Sequence, residues 1–151
     1  MQMMKDSKKS EGAPLRPISK LIRRITMGFR TRLDDRLRDH QVTTAQIRML
    51  YELRERPGGS GAQMARACYV SPQSAQTMLA RAVERGWVVR GKDPENERLV
   101  TMRLTDSGRE LLEYAEGVVK AMEAELWEGV SPEELGVVRG VLERVAGRFE
   151  E

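Results

Sequence analysis

One cysteine, one histidine and few aromatic residues bound what this 151-residue chain can be. A single cysteine, Cys68, forbids an intrachain disulfide, and a reducing cytoplasm is the expected compartment. The single histidine, His40, has no cysteine or carboxylate cluster at metal-ligand spacing around it, so no metal site is expected. Aromatics make up 5% of the residues and charged groups 32%, a balance that favours amphipathic helices with aliphatic cores over an aromatic-rich sandwich. No apolar run approaches the roughly 18 residues that span a bilayer, so no membrane partner is expected. The leading stretch MQMMKDSKKSEGAP lacks the apolar centre of a secretory signal and is expected to be a disordered tail, residues 1–14. A phosphate-cradling glycine loop, a Ser-His or Cys-His arrangement and a recognisable carboxylate pair are all missing too. The chain is therefore not expected to be an enzyme, to hold catalytic residues or to need a cofactor.

What charge there is lies unevenly. Net charge is only +3, yet residues 1–59 carry +7, residues 60–104 carry +3 and residues 105–151 carry −7. A basic front and an acidic back suit a polyanion on one side. Arginines outnumber lysines 20 to 6. That excess fits bidentate phosphate and base contacts, and fits a GC-rich coding sequence equally well.

Helical periodicity dominates the chain. Ile18, Leu21, Ile22, Ile25, Phe29, Leu33 and Leu37 predict a long first helix closed by His40 and Gln41. In VTTAQIRMLYELRERPGG, Thr43 and Gln46 form a capping-box pattern, and Pro57-Gly58-Gly59 ends the second helix. Ser60 and Gln63 repeat that pattern before a short third helix with Met64, Ala65 and Cys68 on one face. Cys68 is thereby expected in the core rather than as a redox sensor. The fourth helix starts at the N-cap Ser71 with Pro72 in its first turn and stops at Gly86. Its apolar stripe is Ala75, Met78, Leu79, Ala82 and Val83.

The opposite face of that fourth helix carries Gln73, Ser74, Gln76 and Thr77, with Arg81 a turn further on. A solvated face more often holds Glu and Lys. Glutamine pairs with adenine N6 and N7, hydroxyls bond several base edges, and a threonine methyl touches thymine. A short helix, a tight turn and a helix with this leading face make a helix-turn-helix. Immediately after come WVVRG and LVTMRLT, flanking KDPENER. Val100, Met102 and Leu104 alternate with Thr101 and Arg103 as in a half-buried strand, and Asp93, Pro94 and Asn96 supply turn chemistry. This hairpin is a wing. Arg98 at the end of its loop suits a narrow minor groove, and Arg90 and Lys92 suit phosphates. Asp93, Glu95 and Glu97 count against a purely cationic wing, and one of them is a candidate partner for Arg98.

Thr105 then caps a long fifth helix with Leu111, Leu112, Ala115, Val118, Val119, Met122 and Leu126 on one face. Ser131 and Glu134 box the start of a sixth, carrying Leu135, Val138, Leu142, Val145 and Phe149. These terminal helices have too little of one domain to bury against, and a partner chain is the economical solution.

In this order the motifs resemble the MarR family of bacterial winged helix-turn-helix regulators, over roughly residues 15–150. GWVVRGKDPENERLVTMRLTDSG is similar to that family's glycine-aromatic-aliphatic strand, wing and Leu-Thr-x-x-Gly exit. VTTAQIRMLYEL resembles its Thr-x-x-Gln second helix, and MARACYVS its entry to the recognition helix. Asn96 and Glu97 depart from the usual wing, where Asp and then Gly or Arg precede the arginine, and Ile47 replaces a common aromatic. The resemblance implies a mainly α fold (an α+β winged helix): six helices with a two- or three-stranded wing sheet, and a homodimer through the N- and C-terminal helices. Residues 15–42 would form an N-terminal dimerisation helix, 43–104 the DNA-binding domain and 105–151 the C-terminal dimerisation helices. The expected activity is ligand-responsive repression at a pseudo-palindromic double-stranded operator. Ser71, Gln73, Ser74, Gln76, Thr77, Arg81, Arg90, Lys92 and Arg98 would meet DNA. A small aromatic or phenolic effector would bind near Met27, Arg30, Met49 and Tyr51, and His40 is a further candidate for the pocket or the dimer. The competing reading is a winged-helix protein-interaction module without specific DNA binding.

Overall fold

A computed structural model describes residues 14–98 and 100–150. The expected tail, residues 1–14, lies outside them except for Pro14. The element order is α1 (Leu15–Leu37), a 3-10 turn (Arg38–His40), α2 (Thr44–Glu55), α3 (Gly61–Ala67) and α4 (Pro72–Glu84). Strands β1 (Val88–Lys92) and β2 (Val100–Leu104) follow, then α5 (Asp106–Leu126), α6 (Pro132–Ala146) and a closing 3-10 turn (Gly147–Phe149). The sheet has two strands, antiparallel, with Val88 opposite Leu104 and Lys92 opposite Val100.

Five of the six α-helices begin as the sequence dictates. The hydroxyls of Thr43, Ser60, Ser71, Thr105 and Ser131 each accept the backbone N–H three residues on. Each satisfies a donor that a bare helix start would leave orphaned. At Thr43, Ser60 and Ser131 the N-cap backbone N–H donates in return to the N3 side-chain oxygen and completes the box. α3 and α4 end alike. Val70 N–H donates to Ala65 O and Tyr69 N–H to Arg66 O, and at α4 Trp87 N–H donates to Ala82 O and Gly86 N–H to Val83 O. Both are Schellman closures, which need a left-handed residue at the stop. Gly86 fills that place at φ 75°, while Tyr69 occupies the other at φ 55°.

The core is aliphatic. Leu37, Met49, Leu50 and Leu112 are wholly buried, joined by Leu33, Leu53, Met64, Cys68, Trp87, Val88, Leu104 and Leu111. Cys68 is buried as expected, and burial pushes its thiol pKa up. The wing departs from simple alternation. Leu104 is buried, Met102 half-buried and Val100 67% exposed. The hairpin projects away from the core, so its inner face runs out of neighbours toward the tip.

α1 and α5 are tied to α2 and to each other by polar links. Thr44 donates from both its N–H and its hydroxyl to Asp34 Oδ1, at 2.7 and 2.6 Å. Arg36 meets Glu125 at 2.7 Å, and Arg54 grips Glu116 with both terminal nitrogens. Much apolar surface stays open even so. Ile18, Leu21, Ile22 and Ile25 on α1 are about half exposed, and no residue of α6 is buried.

Candidate nucleic-acid interface

α4 presents the surface that its polarity implies. Gln73, Ser74, Gln76, Thr77 and Arg81 are all exposed, while Ala75 and Ala82 are buried beneath them. The hydroxyls are partly committed. Ser71 Oγ accepts Ser74 N–H at 3.1 Å and donates to Ser74 Oγ at 2.9 Å, and Thr77 Oγ1 donates to Gln73 O at 3.1 Å. Among the described residues, no hydrogen bond or ion pair engages the side chains of Gln73, Gln76 or Arg81. The two amides and the guanidinium therefore keep their full bonding capacity for a ligand, with little prior bonding to break.

The wing stands beside that face. Gln76 of α4 and Arg90 of β1 line one cleft of about 190 Å³, closed by Gly59, Ser60 and Gly61. Lys92 ends β1, and Arg98 lies in the loop before β2. No ion pair among the described residues involves Arg90, Lys92 or Arg98, so the pairing of Arg98 with a wing acid is not found. Asp93 and Asn96 serve the turn instead. Asp93 Oδ1 accepts the N–H groups of Glu95 and Asn96 at 2.8 and 3.2 Å, and Asn96 Oδ1 accepts Arg98 N–H at 3.1 Å. These Asx-type bonds hold the loop backbone and leave the Arg98 guanidinium unspent.

The effector candidates scatter. Tyr51 lines a cleft of about 340 Å³ between α1, α2 and α5, with Leu33, Thr44, Arg48, Leu112 and Lys120. Its ring lies between two guanidiniums, 5.5 Å from Arg48 and 5.3 Å from Arg54. Arg54 in turn holds the Glu116 carboxyl below the usual carboxylate range. Met27 and Arg30 are exposed on α1 and border neither this cleft nor the one of about 330 Å³ between α1 and the end of α5. Met49 does not fit the role at all: it is 0% exposed, because its position on α2 faces the centre of the core. His40 stacks on Tyr114 of α5, with ring centroids 4.1 Å apart.

Two features escaped the sequence reading. Tyr69 is 91% exposed beside the α4 cap. Arg85, the C-cap of α4, reaches the backbone at the end of α1. The only sequence trace of the first is a tyrosine where a Schellman stop prefers glycine. The second pairs residues 44 and 45 positions apart and leaves no local pattern.

A capped helix leading with free amides, a helix pair behind it and a cationic two-stranded hairpin beside it define a winged helix-turn-helix protein. A family model described as MarR family matches residues 40–99. The HTH-type transcriptional repressor Rv2887 of Mycobacterium tuberculosis is 32% identical over 108 residues, which span 72% of this chain and 78% of that protein. Among solved structures, a MarR family transcriptional regulator from Silicibacter pomeroyi superposes with TM-score 0.78 at 22% identity, covering 93% of this chain and 97% of that one. Wild-type apo MarR from E. coli gives 0.73 at 25% identity, covering 89% and 98%. The M. tuberculosis MarR family protein Rv2887, in complex with p-aminosalicylic acid, gives 0.72 at 28% identity, covering 89% and 99%. The chain belongs to the MarR family and is a DNA-binding regulator of transcription.

Proposed function

We propose that this protein is a homodimeric repressor that reads a pseudo-palindromic operator and releases it when a small aromatic acid binds. The observation that carries the reading is the α4 face, where Gln73, Gln76 and Arg81 stand exposed and without side-chain bonds among the described residues, behind a Ser71 cap. In the proposed complex each α4 enters a major groove, with Gln76 and Gln73 at base edges and Ser74, Thr77 and Arg81 alongside. Arg98 enters the adjoining minor groove, and Arg90, Lys92 and Ser71 meet phosphates. The two α4 helices lie about one DNA turn apart, roughly 34–36 Å.

The dimer is supported by the open apolar faces of α1 and α6, which a second copy would cover. Residues 15–42 and 105–151 then act as dimerisation arms around the reading unit 43–104. The effector reading is supported by the cleft between α1, α2 and α5. Leu33, Ile47, Leu112 and Val119 give it an apolar floor, and Arg48 and Lys120 give it cations. That chemistry suits an aromatic ring bearing a carboxylate, and p-aminosalicylic acid, the ligand of the Rv2887 structure, is one. Such a ligand shifts the protein off DNA only if it binds the DNA-incompetent arrangement better.

Fluorescence anisotropy tests this. The purified protein is titrated with the duplex upstream of its own coding region and with a scrambled duplex, across a salt series. Selective binding with a steep salt slope is expected. Gln76→Ala should change base preference more than overall affinity, and Arg98→Ala should weaken binding to AT-flanked sites. No binding to any duplex even at low salt would instead favour a protein-interaction module.

A further inference from the structure

The end of α4 away from its leading face is fastened in a way the reading function does not require. Arg85 lies about 18 Å along the helix axis from Gln73, at ~1.5 Å per residue. Its guanidinium donates from Nη1 to Gln41 O at 2.8 Å and from Nη2 to His40 O at 3.1 Å. The same group lies 4.3 Å over the Trp87 ring, which is buried. A planar fork matched to two successive carbonyls and seated on an indole has one orientation, unlike a flexible ammonium.

What it grips is the corner where α1 turns into α2. Gln41 stands at φ 52°, a left-handed residue that reverses the chain. His40 beside it stacks on Tyr114 of α5. Arg85 therefore joins the recognition helix directly to the turn that closes α1, and to α5 through one ring pair. These two helices are the proposed arms of the dimer.

We propose that Arg85 is a positioning residue that fixes the pitch of α4 against the arms and so sets the operator half-site spacing the dimer accepts. The proposal rests on the DNA-reading assignment above. The lever is long enough for this. α4 has 13 residues, about 20 Å at ~1.5 Å per residue. A tilt of about 10° at its anchored end moves its leading end about 3.5 Å. That is one base-pair step of about 3.4 Å. Freeing the anchor should blur spacing while leaving the side chains that touch bases unchanged.

The test uses the full chain with Arg85→Met, which keeps an unbranched apolar stem but loses the fork, and Arg85→Lys, which keeps the charge on a single donor nitrogen. An operator is first selected by the wild-type protein from randomised duplexes. Anisotropy then compares that operator with versions whose half-sites are one base pair closer or farther apart. Wild type should lose about ten-fold or more on the shifted duplexes, as for one mismatched base pair in the site. Arg85→Met should lose less than about three-fold between spacings, with Arg85→Lys intermediate, and should keep the same penalty for base changes under Gln76. Two outcomes would overturn the proposal while leaving the DNA-reading assignment intact. Uniform weakening at all spacings with a lower melting temperature would make Arg85 a packing residue only. Uniform weakening with a salt slope smaller by about one would make it a phosphate contact. A wild-type protein that selects no duplex would sink the DNA-reading assignment and this inference with it.

Discussion

Alanine at Gly108 and alanine at Gly117 are the same substitution on the same helix, yet their effects on stability should have opposite signs. Both glycines lie within α5, where glycine costs roughly 0.8–1.0 kcal/mol relative to alanine. Propensity alone would make both changes stabilising. At Gly117 nothing lies within 4 Å of an added Cβ, so the gain should appear as about 0.5–1 kcal/mol. At Gly108 the added Cβ would stand against Trp87 O far inside van der Waals contact, 3.0 Å from Trp87 C and 3.2 Å from Trp87 Cα. All three atoms are backbone, so no rotamer change relieves them.

The clash falls on the joint between wing and arm. Trp87 O accepts Thr105 N–H at 3.0 Å, Thr105 Oγ1 donates to Gly86 O, and the same Oγ1 accepts Gly108 N–H at 3.1 Å. Making room moves the first turn of α5 by about 1 Å and loosens these bonds. Overpacking costs ~1–3 kcal/mol and a weakened cap ~1 kcal/mol. Against the ~1 kcal/mol gained from propensity, Gly108→Ala should destabilise by about 1–3 kcal/mol. Urea midpoints at unchanged m report both effects, at one fixed protein concentration because a dimer's stability depends on it. Midpoints that move in the same direction for the two variants would refute the close-approach argument.

Other perturbations read other joints. Arg54 depresses the Glu116 carboxyl pKa, so the pair's stabilisation is present above the ordinary carboxylate range near 4.3 and is lost as pH falls through the lower folded value. Because both groups are about a third or more exposed, Glu116→Gln should cost under ~1 kcal/mol at pH 7, and the cost should shrink as pH falls below the ordinary carboxylate range and vanish only below the depressed folded value. A loss that grows in acid would contradict this sign. Tyr69→Gly removes a side chain from a left-handed site and should raise the urea midpoint by the equivalent of ~0.5–1 kcal/mol, whereas a fall would show that the exposed ring makes contacts of its own. Val138→Asp lies on an α6 face that is open in the single chain. It should leave helix content unchanged and convert the dimer to monomer in sedimentation velocity, because a partner would bury the new charge at a cost of several kcal/mol. An unchanged sedimentation coefficient at micromolar protein would place the dimer elsewhere.

Where the sequence was legible, the determinant was local. Thr43, Ser60, Ser71, Thr105 and Ser131 each bond a backbone N–H three residues away, so a four-residue window contains the whole interaction. The stripe Ala75, Met78, Leu79, Ala82 and Val83 likewise needs only the helical period. Illegible features are those whose partner is distant in the chain. Met49 shares its helix with Tyr51, yet one is sealed in the core and the other lines a cleft, a difference set by where α1 and α5 lie across α2. Arg85 looks like any basic residue near a helix end until the α1–α2 corner arrives against it.

The wing shows how the two kinds of determinant combine. Its charges look contradictory when summed, with three acids among the cations that should meet a polyanion. Bond by bond, the contradiction eases. Asp93 spends one oxygen on the Glu95 and Asn96 N–H groups, and Asn96 spends its carbonyl on Arg98 N–H. The loop is held by side chains of its own, so Arg98 is presented by a braced backbone without an ion pair to break among the described residues. An asparagine can do this without adding a third negative charge between Asp93 and Arg98, beyond Glu95 and Glu97. Asn96, which departs from the usual wing pattern, therefore fits a wing that, in the proposed complex, has to stay firm and still approach phosphate.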